Sequence, residues 1–244
     1  MRTIGLIGGM SWESTAIYYR LINGLVRDRL GGLHSAKLLL SSFDFAEIEA
    51  LQRPEGWDEA GRRLADAGRR LQQAGADCLL ICANTMHKVA PAVAEATQVP
   101  LIHIVDVTAA ELGRRGSSKP LLLATRYVME QDFYKGRLAS RFGIEALVPD
   151  AEDRSALHGI IFEELVRGVV EPRSKARCLD IIAKSREQGC DGVIFGCTEI
   201  CMLLTQDDFA QPAVDSALLH AEAAVDFALG EAAQAETPAL ASDL

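Results

Sequence analysis

Short apolar runs alternate with longer amphipathic stretches along the whole chain. Seven runs rich in Leu, Ile and Val each have the length of one buried strand: TIGLIGG, AKLLLSS, CLLICAN, LIHIVD, PLLLAT, GVIFGC and PAVD. Helical patterns lie between them, as in DEAGRRLADAGRRLQQAG, where apolar residues recur at three- and four-residue steps at Leu64, Ala67, Leu71 and Ala74. Strands that are apolar on both sides suit a mainly parallel sheet flanked by helices. The pattern predicts an α/β protein.

The same pattern occurs twice. GADCLLICANT, residues 75–85, aligns with GCDGVIFGCTE, residues 189–199, at an offset of 114. Downstream, IVD ending at Asp106 resembles AVD ending at Asp215, and upstream IGLIGGMSWESTAIYY aligns with LLLATRYVMEQDFY. Three matches in the same order predict two similar α/β domains related by a pseudo-twofold internal repeat.

We expect the two halves to have unequal boundaries in sequence. Residues 1–112 would form the first half together with a C-terminal helix at 213–230, and residues 113–212 would form the second. The last residues, 231–244, have the composition of a flexible tail. Ligands of parallel sheets bind beyond the carboxyl ends of the strands. The active site is therefore expected in the cleft between the halves.

Composition narrows the possible partners. The chain has 244 residues, is 49% hydrophobic and has a net charge of −9, with 25 scattered Lys and Arg residues. This argues against nucleic acid or an anionic membrane surface as the main partner. The apolar runs are far shorter than the roughly 20 residues that span a bilayer, and the N-terminus has no long apolar signal segment. A cytoplasmic protein that binds a small molecule is expected.

The six cysteines are then expected to be thiols rather than disulfides. Two pairs spaced by four, Cys78 with Cys82 and Cys197 with Cys201, leave a zinc site as an alternative. The first pair lies along an apolar strand, which favours buried thiols over metal ligands. No phosphate-binding loop or complete dinucleotide motif is present, so no metal, nucleotide or pyridoxal phosphate cofactor is expected.

Cys82 stands where a buried strand ends, a common position for a catalytic thiol. Residues two apart on a strand share a face, so Cys82 points the same way as Cys78. In the repeat, Cys197 aligns with Ala83 and not with Cys82. Cys82 is therefore predicted to face the packing layer and Ala83 the cleft, unless a bulge reverses the parity.

Cys197 is the stronger candidate. It precedes TEICMLL, which begins like a helix. Because the N–H groups at a helix N-terminus stabilise a thiolate, we expect a lowered pKa for Cys197 and a role as base or nucleophile.

Four motifs in order, IGLIGGMSWEST, CANTMH, ATRYVMEQDFYKGRL and GVIFGCTEI, resemble the aspartate/glutamate racemase family. The resemblance covers residues 2 to about 229 and is closest to the bacterial branch specific for L-aspartate and L-glutamate. It implies a cofactor-independent isomerase, commonly a homodimer, in which two acid/base groups on opposite faces of the α-carbon remove and return its proton.

The resemblance also implies roles for individual residues. Cys197 would be one acid/base, and the α-carboxylate would be held by Asn84, Thr85 and Thr198. Met10, Gln52 and Thr125 would line the pocket, while His87 and Glu199 would support the two base positions. For the second carboxylate of an acidic substrate, Arg53 is the preferred clamp and Arg167 a weaker one.

The departure is at Ala83, where the family has its first thiol and near relatives can carry threonine. Four accounts follow. The chain is a racemase whose second proton donor is water or another residue, or a racemase with an engineered substitution at Ala83. Alternatively it is a one-thiol enzyme resembling the arylmalonate decarboxylase branch, or a catalytically inactive amino-acid-binding relative. The first two together are preferred.

Overall fold

The fold, seen in a computed structural model that describes residues 1–230, contains two parallel sheets. The first has the order β2-β1-β3, with β1 at Ile4–Gly8, β2 at Leu38–Ser42 and β3 at Cys78–Ile81. The second has the order β4-β5-β6, with β4 at Pro120–Leu123, β5 at Gly192–Phe195 and β6 at Ala213–Asp215. The predicted α/β class with two similar halves is confirmed.

Helices cover these sheets. They are α1 Trp12–Leu30, α2 Phe45–Glu49, α3 Trp57–Gln73, α4 Ala90–Ala96, α5 Ile104–Arg114, α6 Arg126–Glu130, α7 Asp132–Phe142, α8 Ala151–Gly159, α9 Pro172–Glu187 and α10 Ser216–Leu229. A π-helical turn spans Ile160–Glu164, and 3-10 turns span Pro54–Gly56, Thr85–Val89, Leu165–Arg167, Thr198–Met202 and Gln206–Asp208. The apolar spacing on α3 predicts its buried face correctly at Leu64, Ala67 and Leu71, whereas Ala74 is exposed beyond the last turn.

The internal repeat extends to hydrogen bonds. Asp77, just before β3, accepts from the backbone N–H of Thr3, which precedes β1. Asp191, just before β5, accepts in the same way from the N–H of Lys119, which precedes β4. In each half, one aspartate thus ties together the starts of two paired strands. Because Ile4 pairs with Cys78 and Pro120 with Gly192, the structural offset is 114 between β3 and β5, as read from the sequence, and 116 between β1 and β4.

The repeat loses this register after β3 and β5. LIHIVD, predicted as a strand, contributes only an isolated bridge between Leu101 and Leu79, because α5 begins already at Ile104. Strand β6 pairs Ala213 with Val193. The partners Leu101 and Ala213 are 112 residues apart, not 114.

It follows that the counterpart of Asp215 is His103 and not Asp106. Both cap the helix that follows them. Asp215 accepts from the N–H of Ala217, and His103 accepts through Nδ1 from the N–H of Val105. The alignment of IVD with AVD that the sequence suggests is therefore three residues out of register with the structure.

The last helix of each half packs in the core of the other half. Helix α10 buries Ala217, Ala221 and Val225 in the core of the first half, beside β1, β3 and α1. Helix α5 buries its apolar face in the core of the second half, and its Asp106 forms a two-bonded ion pair with Arg137 of α7 at 2.6 Å.

This packing corrects the boundaries expected from the sequence. Residues 104–112, assigned to the first half, pack in the second, and residues 213–215, assigned with the C-terminal helix, are a strand of the second sheet. The proposed tail at 231–244 lies outside the described residues. Within residues 1–230, no helix is both long and apolar enough to cross a bilayer.

Candidate active site

A narrow cleft of about 50 Å³ opens where β1, β3, β4 and β5 end, between the two halves. The lining residues are Met10, Ser11, Ser14, Phe45, Gln52, Ala83, Asn84, Thr85, Thr125, Ile161, Phe162, Val166, Gly196, Cys197, Thr198 and Glu199. The ends of parallel strands from both halves thus converge on one space, as the sequence predicts.

The structure separates Cys82 from Ala83 as strand parity predicts. Ala83 lines the cleft, whereas Cys82 is fully buried with Cys78 and Leu80 against α1 and α10. Burial raises the pKa of the Cys82 thiol far above its usual value. Cys82 is therefore a packing residue, and the cleft face at this strand end carries only a methyl group.

The glycine pair Gly8-Gly9, at the end of β1, brings the backbone close to a neighbouring loop. Gly9 has a φ of +83°, and a Cβ there would lie 2.2 Å from the carbonyl oxygen of Phe43. Its N–H donates to Thr15 Oγ1 at 2.8 Å. A side chain at this position would force the loop away, so Gly9 fixes the turn that carries Met10 and Ser11 into the cleft.

Cys197 and Glu199 form the only thiol–carboxylate pair among the described residues of the cleft. The Cys197 thiol donates to Glu199 Oε2 at 3.0 Å, and the Ser11 hydroxyl donates to Glu199 Oε1 at 2.9 Å. Cys197 and Glu199 are 6% and 5% exposed. A buried carboxylate is therefore aimed at a buried thiol and held from the opposite side by a hydroxyl of the other half.

The expected acidification of Cys197 is not what the structure shows. Burial raises the pKa of the Cys197 thiol well above its usual value, and the negative charge and hydrogen bond of Glu199 raise it further. The segment that follows is a five-residue 3-10 turn, Thr198–Met202, rather than an α-helix. Both influences favour the protonated thiol, which donates its hydrogen bond to Glu199.

Hydroxyl groups join the halves beside this pair. Thr198 Oγ1 lies 2.6 Å from Glu199 Oε2 and 2.8 Å from Ser14 Oγ, and Ser14 in turn donates to the carbonyl of Cys82. Asn84, from the first half, donates to Ser216 Oγ at 3.1 Å, at the start of α10. These contacts fix the walls of the cleft relative to each other.

His87 does not line the cleft, but it holds a residue that does. The N–H of Ile104 donates to His87 Nε2 at 3.2 Å, so Nδ1 carries the proton and donates to the carbonyl of Ala83 at 2.9 Å. Burial and the neighbouring His103 and His220 lower the pKa of His87 well below its usual value. A neutral His87 therefore links the end of β3 to the start of α5.

The other expected site residues fall into two groups. Met10, Gln52, Thr85 and Thr125 line the cleft, with the Thr85 and Thr125 hydroxyls 3.0 Å apart. Arg53 follows Gln52 directly, but its side chain is exposed to solvent and does not line the cleft. Arg167 is likewise exposed outside the cleft.

Sequence reasoning missed one wall of the cleft. Phe45, Ile161, Phe162 and Val166 line it, and three of them come from the segment Ile160–Arg167, a π-helical turn followed by a 3-10 turn. A search limited to the ends of strands cannot find this wall, because it lies on an irregular helical segment. The available signal is the apolar pair Ile161-Phe162 within a segment that also carries Glu163 and Glu164.

The possible cysteine metal sites find no support in the packing. Cys78 and Cys82 lie in an apolar core, while Cys201 donates to Asp215 Oδ2 at 3.0 Å. Within residues 1–230, no group of three or more His, Cys, Asp or Glu residues is placed to hold a metal ion.

Comparison with known proteins identifies the family. The sequence model of Asp/Glu/hydantoin racemases matches residues 7–224. The chain belongs to this family. A Yersinia pestis protein whose crystal structure is described as a candidate Asp/Glu racemase is 49% identical, with a TM-score of 0.88 over 94% of this chain and 100% of that one. The aspartate racemase homologue PH1733 of Pyrococcus horikoshii is 36% identical, with a TM-score of 0.84 over 94% and 100%.

A more distant relative is the broad-specificity amino-acid racemase RacX of Bacillus subtilis. It is 23% identical over 176 residues, which cover 71% of this chain and 74% of RacX. The resemblance seen in the motifs is therefore confirmed: this Asp/Glu/hydantoin racemase family member is an enzyme of the amino-acid racemase class.

Proposed function

We propose that this family member moves the α-proton of an amino acid, with Cys197 as the acid/base and Glu199 as the group that accepts the thiol proton. The observation that supports this proposal most is the 3.0 Å hydrogen bond from Cys197 Sγ to Glu199 Oε2 at the edge of the cleft. A protonated, buried thiol is a poor base by itself. A carboxylate within hydrogen-bond reach makes it usable, because the proton can leave without reaching bulk water.

The proposed reaction balances within the cleft. The thiol proton moves to Glu199 Oε2, and the thiolate takes the α-proton, so an S–H bond forms as the Cα–H bond breaks. The electron pair stays on the substrate as a carbanion delocalised into its α-carboxylate. Donors placed around that carboxylate stabilise the charge, and we assign this role to Asn84, Thr85 and Thr198. On the same face, Cys197 returns a proton that has exchanged with solvent to the α-carbon, and the resulting thiolate takes back the proton held by Glu199. On the opposite face, water protonates the α-carbon, and the hydroxide left behind takes the proton of Glu199. Either route restores the protonated thiol and the Glu199 carboxylate.

The two faces of the substrate are not equivalent. At the repeat offset of 114, Ala83 and Thr85 take the places of Cys197 and Glu199. The first half thus offers a methyl group and a hydroxyl where the second offers a thiol and a carboxylate. Inversion then depends on a proton from water or from the Thr85–Thr125 hydroxyl pair, and we propose that it is slower than exchange on the Cys197 side.

Ala83 is also the observation that favours the second candidate. An enzyme with one working thiol could deliver a proton to one face after loss of CO₂, as a decarboxylase or an isomerase of this superfamily. An amino-acid-binding relative without catalysis is the third possibility, and the Cys197–Glu199 pair counts against it, because binding alone needs no buried thiol–carboxylate contact.

Names of the relatives point to aspartate and glutamate as the first substrates to assay, and RacX points to a wider range. The cytoplasmic location and the homodimer expected from the sequence stay predictions. Light scattering on the purified chain would measure its oligomeric state. No step of the proposed reaction uses a cofactor.

The test is α-proton exchange in D₂O, followed by NMR, with Cys197→Ala, Cys197→Ser and Cys82→Ala variants. Loss of one general base costs about 10²- to 10⁴-fold in rate. We expect that loss for both Cys197 variants and an unchanged rate per folded molecule for Cys82→Ala, which removes the same atom from the packing layer. Unchanged exchange in Cys197→Ala would refute the proposal.

A further inference from the structure

Two kinds of side chain line the cleft. Hydroxyl, amide, thiol and carboxylate groups line it at Ser11, Ser14, Asn84, Thr85, Thr125, Cys197, Thr198 and Glu199. Large apolar side chains line it at Phe45, Ile161, Phe162 and Val166, and we call these four residues the apolar wall. If the α-carbon sits against Cys197, as proposed above, the polar groups surround the parts common to all amino acids. The apolar wall is then left for the substrate side chain.

The described side chains that line the cleft include a negatively charged group and no positively charged one. Of the described residues that line it, none is a lysine, an arginine or a histidine, whereas Glu199 contributes a carboxylate. Aspartate or glutamate would bring a second carboxylate into this space. A buried carboxylate without a cation or a full set of donors is costly, and a nearby like charge adds to the cost. Uncharged groups such as Gln52 can donate hydrogen bonds but supply no compensating charge.

The apolar wall is supported from behind. Ile161 is 1% exposed and belongs to the core of the second half. The Phe162 ring packs on the His158 ring with centroids 4.5 Å apart, and the His158 ring also meets the Tyr127 ring edge-on. π-helical turns often occur at functional sites because they turn a side chain away from the regular helix face. Here the turn directs two large apolar side chains toward the cleft.

We infer that the substrate carries an uncharged, apolar side chain, for which Ile161, Phe162 and Val166 are the specificity-determining residues. The inference rests on the proposed α-proton chemistry at Cys197 and adds the substrate class to it. In a hydrophobic pocket, each methylene of fit is worth about tenfold or more in kcat/KM. Leucine, methionine and phenylalanine should therefore exceed aspartate and glutamate.

The first experiment measures α-proton exchange in D₂O for these five amino acids at equal concentration. Titration calorimetry on Cys197→Ser measures binding of the same five without turnover. We expect kcat/KM for the best apolar amino acid to exceed that for aspartate and glutamate by at least about tenfold. The calorimetric affinities should have the same order.

A matched pair of variants tests the wall directly. Val166→Arg places a cation at the cleft, and Val169→Arg places the same charge three residues away at an exposed position that does not line it. Val166→Arg should raise kcat/KM for glutamate relative to leucine by at least about tenfold, as expected for a charge-assisted carboxylate contact. Val169→Arg should leave this ratio unchanged.

The outcomes separate the two proposals. Exchange that is faster with aspartate or glutamate than with every apolar amino acid overturns the substrate class and leaves the role of Cys197 intact. Tighter binding of apolar amino acids without exchange of any of them supports the substrate class and refutes the proposed chemistry. If none of the five amino acids binds or exchanges its α-proton, both the substrate class and the proposed chemistry are overturned. If Val166→Arg and Val169→Arg have equal effects, the apolar wall does not determine substrate specificity.

Discussion

Replacing Glu199 by glutamine should change the reactivity of Cys197 and the activity of the enzyme in opposite directions. Glu199→Gln keeps the size of the side chain and an oxygen that can accept from the thiol, but it removes the negative charge and the ability to take a proton. Burial and Glu199 both raise the pKa of Cys197 in the native protein. With only burial left, the pKa should fall, and more thiolate should be present near neutrality.

The size of the effect follows from the geometry. Two unit charges separated by the 3.0 Å between Cys197 Sγ and Glu199 Oε2 repel by about 5 kcal/mol at an effective dielectric constant of about 20. Even a quarter of that energy changes the thiolate fraction by about tenfold. We therefore expect iodoacetamide to alkylate Cys197 at least about tenfold faster in the variant at pH 7.

Catalysis should respond the other way. A thiolate that has no carboxylate to exchange its proton with can take the α-proton but cannot be reset through Glu199. The rate of α-proton exchange should fall by about 10²- to 10⁴-fold, the usual contribution of one acid/base group. Misfolding would expose all six cysteines, so a rise in reactivity that is confined to Cys197 and accompanied by a loss of activity is not explained by misfolding.

The assay counts labelled cysteines by mass spectrometry of peptides, so that only modification of Cys197 is scored. Cys190, whose pKa is raised by burial and by the charge of Asp191 rather than by Glu199, serves as the internal reference. Its labelling rate should be the same in both proteins. Slower alkylation of Cys197 in Glu199→Gln, or activity close to that of the native chain, would refute the assignment of Glu199 as proton acceptor.

Three further predictions concern the opposite face of the substrate and the buried His220. Ala83→Cys should raise the ratio of inversion to exchange by about 100-fold, because it supplies a second acid/base group; chiral chromatography of the amino acid measures inversion, and an unchanged ratio would argue against an empty first base position. Tyr18→Phe should destabilise the fold by about 1–3 kcal/mol in denaturant titrations, because Tyr18 donates to the buried His220 Nδ1 at 2.8 Å, and activity per folded molecule should be kept. Burial lowers the pKa of His220 to about 4, so the unfolded chain binds a proton near pH 6.5 that the folded chain refuses. The free energy of unfolding should therefore decrease by about 3 kcal/mol for this group as the pH falls from 6.5 to 4, and stability that is constant over this range would contradict a neutral, buried His220.

Much of the site could be predicted because strand geometry is local. The period of two along β3 is enough to point Cys82 into the core and Ala83 into the cleft. An offset that holds across β3 and β5 is enough to align Ala83 with Cys197. Both inferences use only residues within one strand and the turn after it.

Features that depend on packing between distant segments could not be predicted. The pKa of Cys197 is set by burial and by the direction of the Glu199 carboxylate, neither of which follows from a place after a strand. The packing of α5 in the second half depends on which core its apolar face meets. The wall at Phe162 depends on a π-helical turn, which has no simple periodic signal. Arg53 stays outside the cleft because a loop residue can point either way.

The most direct test of the unequal faces is a comparison of two rates on the same sample. Each pure enantiomer of a substrate is incubated with the native enzyme in D₂O, and deuterium at the α-carbon and configuration are followed together. We predict that one enantiomer gains deuterium with retention much faster than it inverts, and that Cys197→Ala loses this exchange. Deuterium incorporation and inversion at equal rates for both enantiomers would contradict a cleft in which Cys197 acts on one face and Ala83 leaves the other without a base.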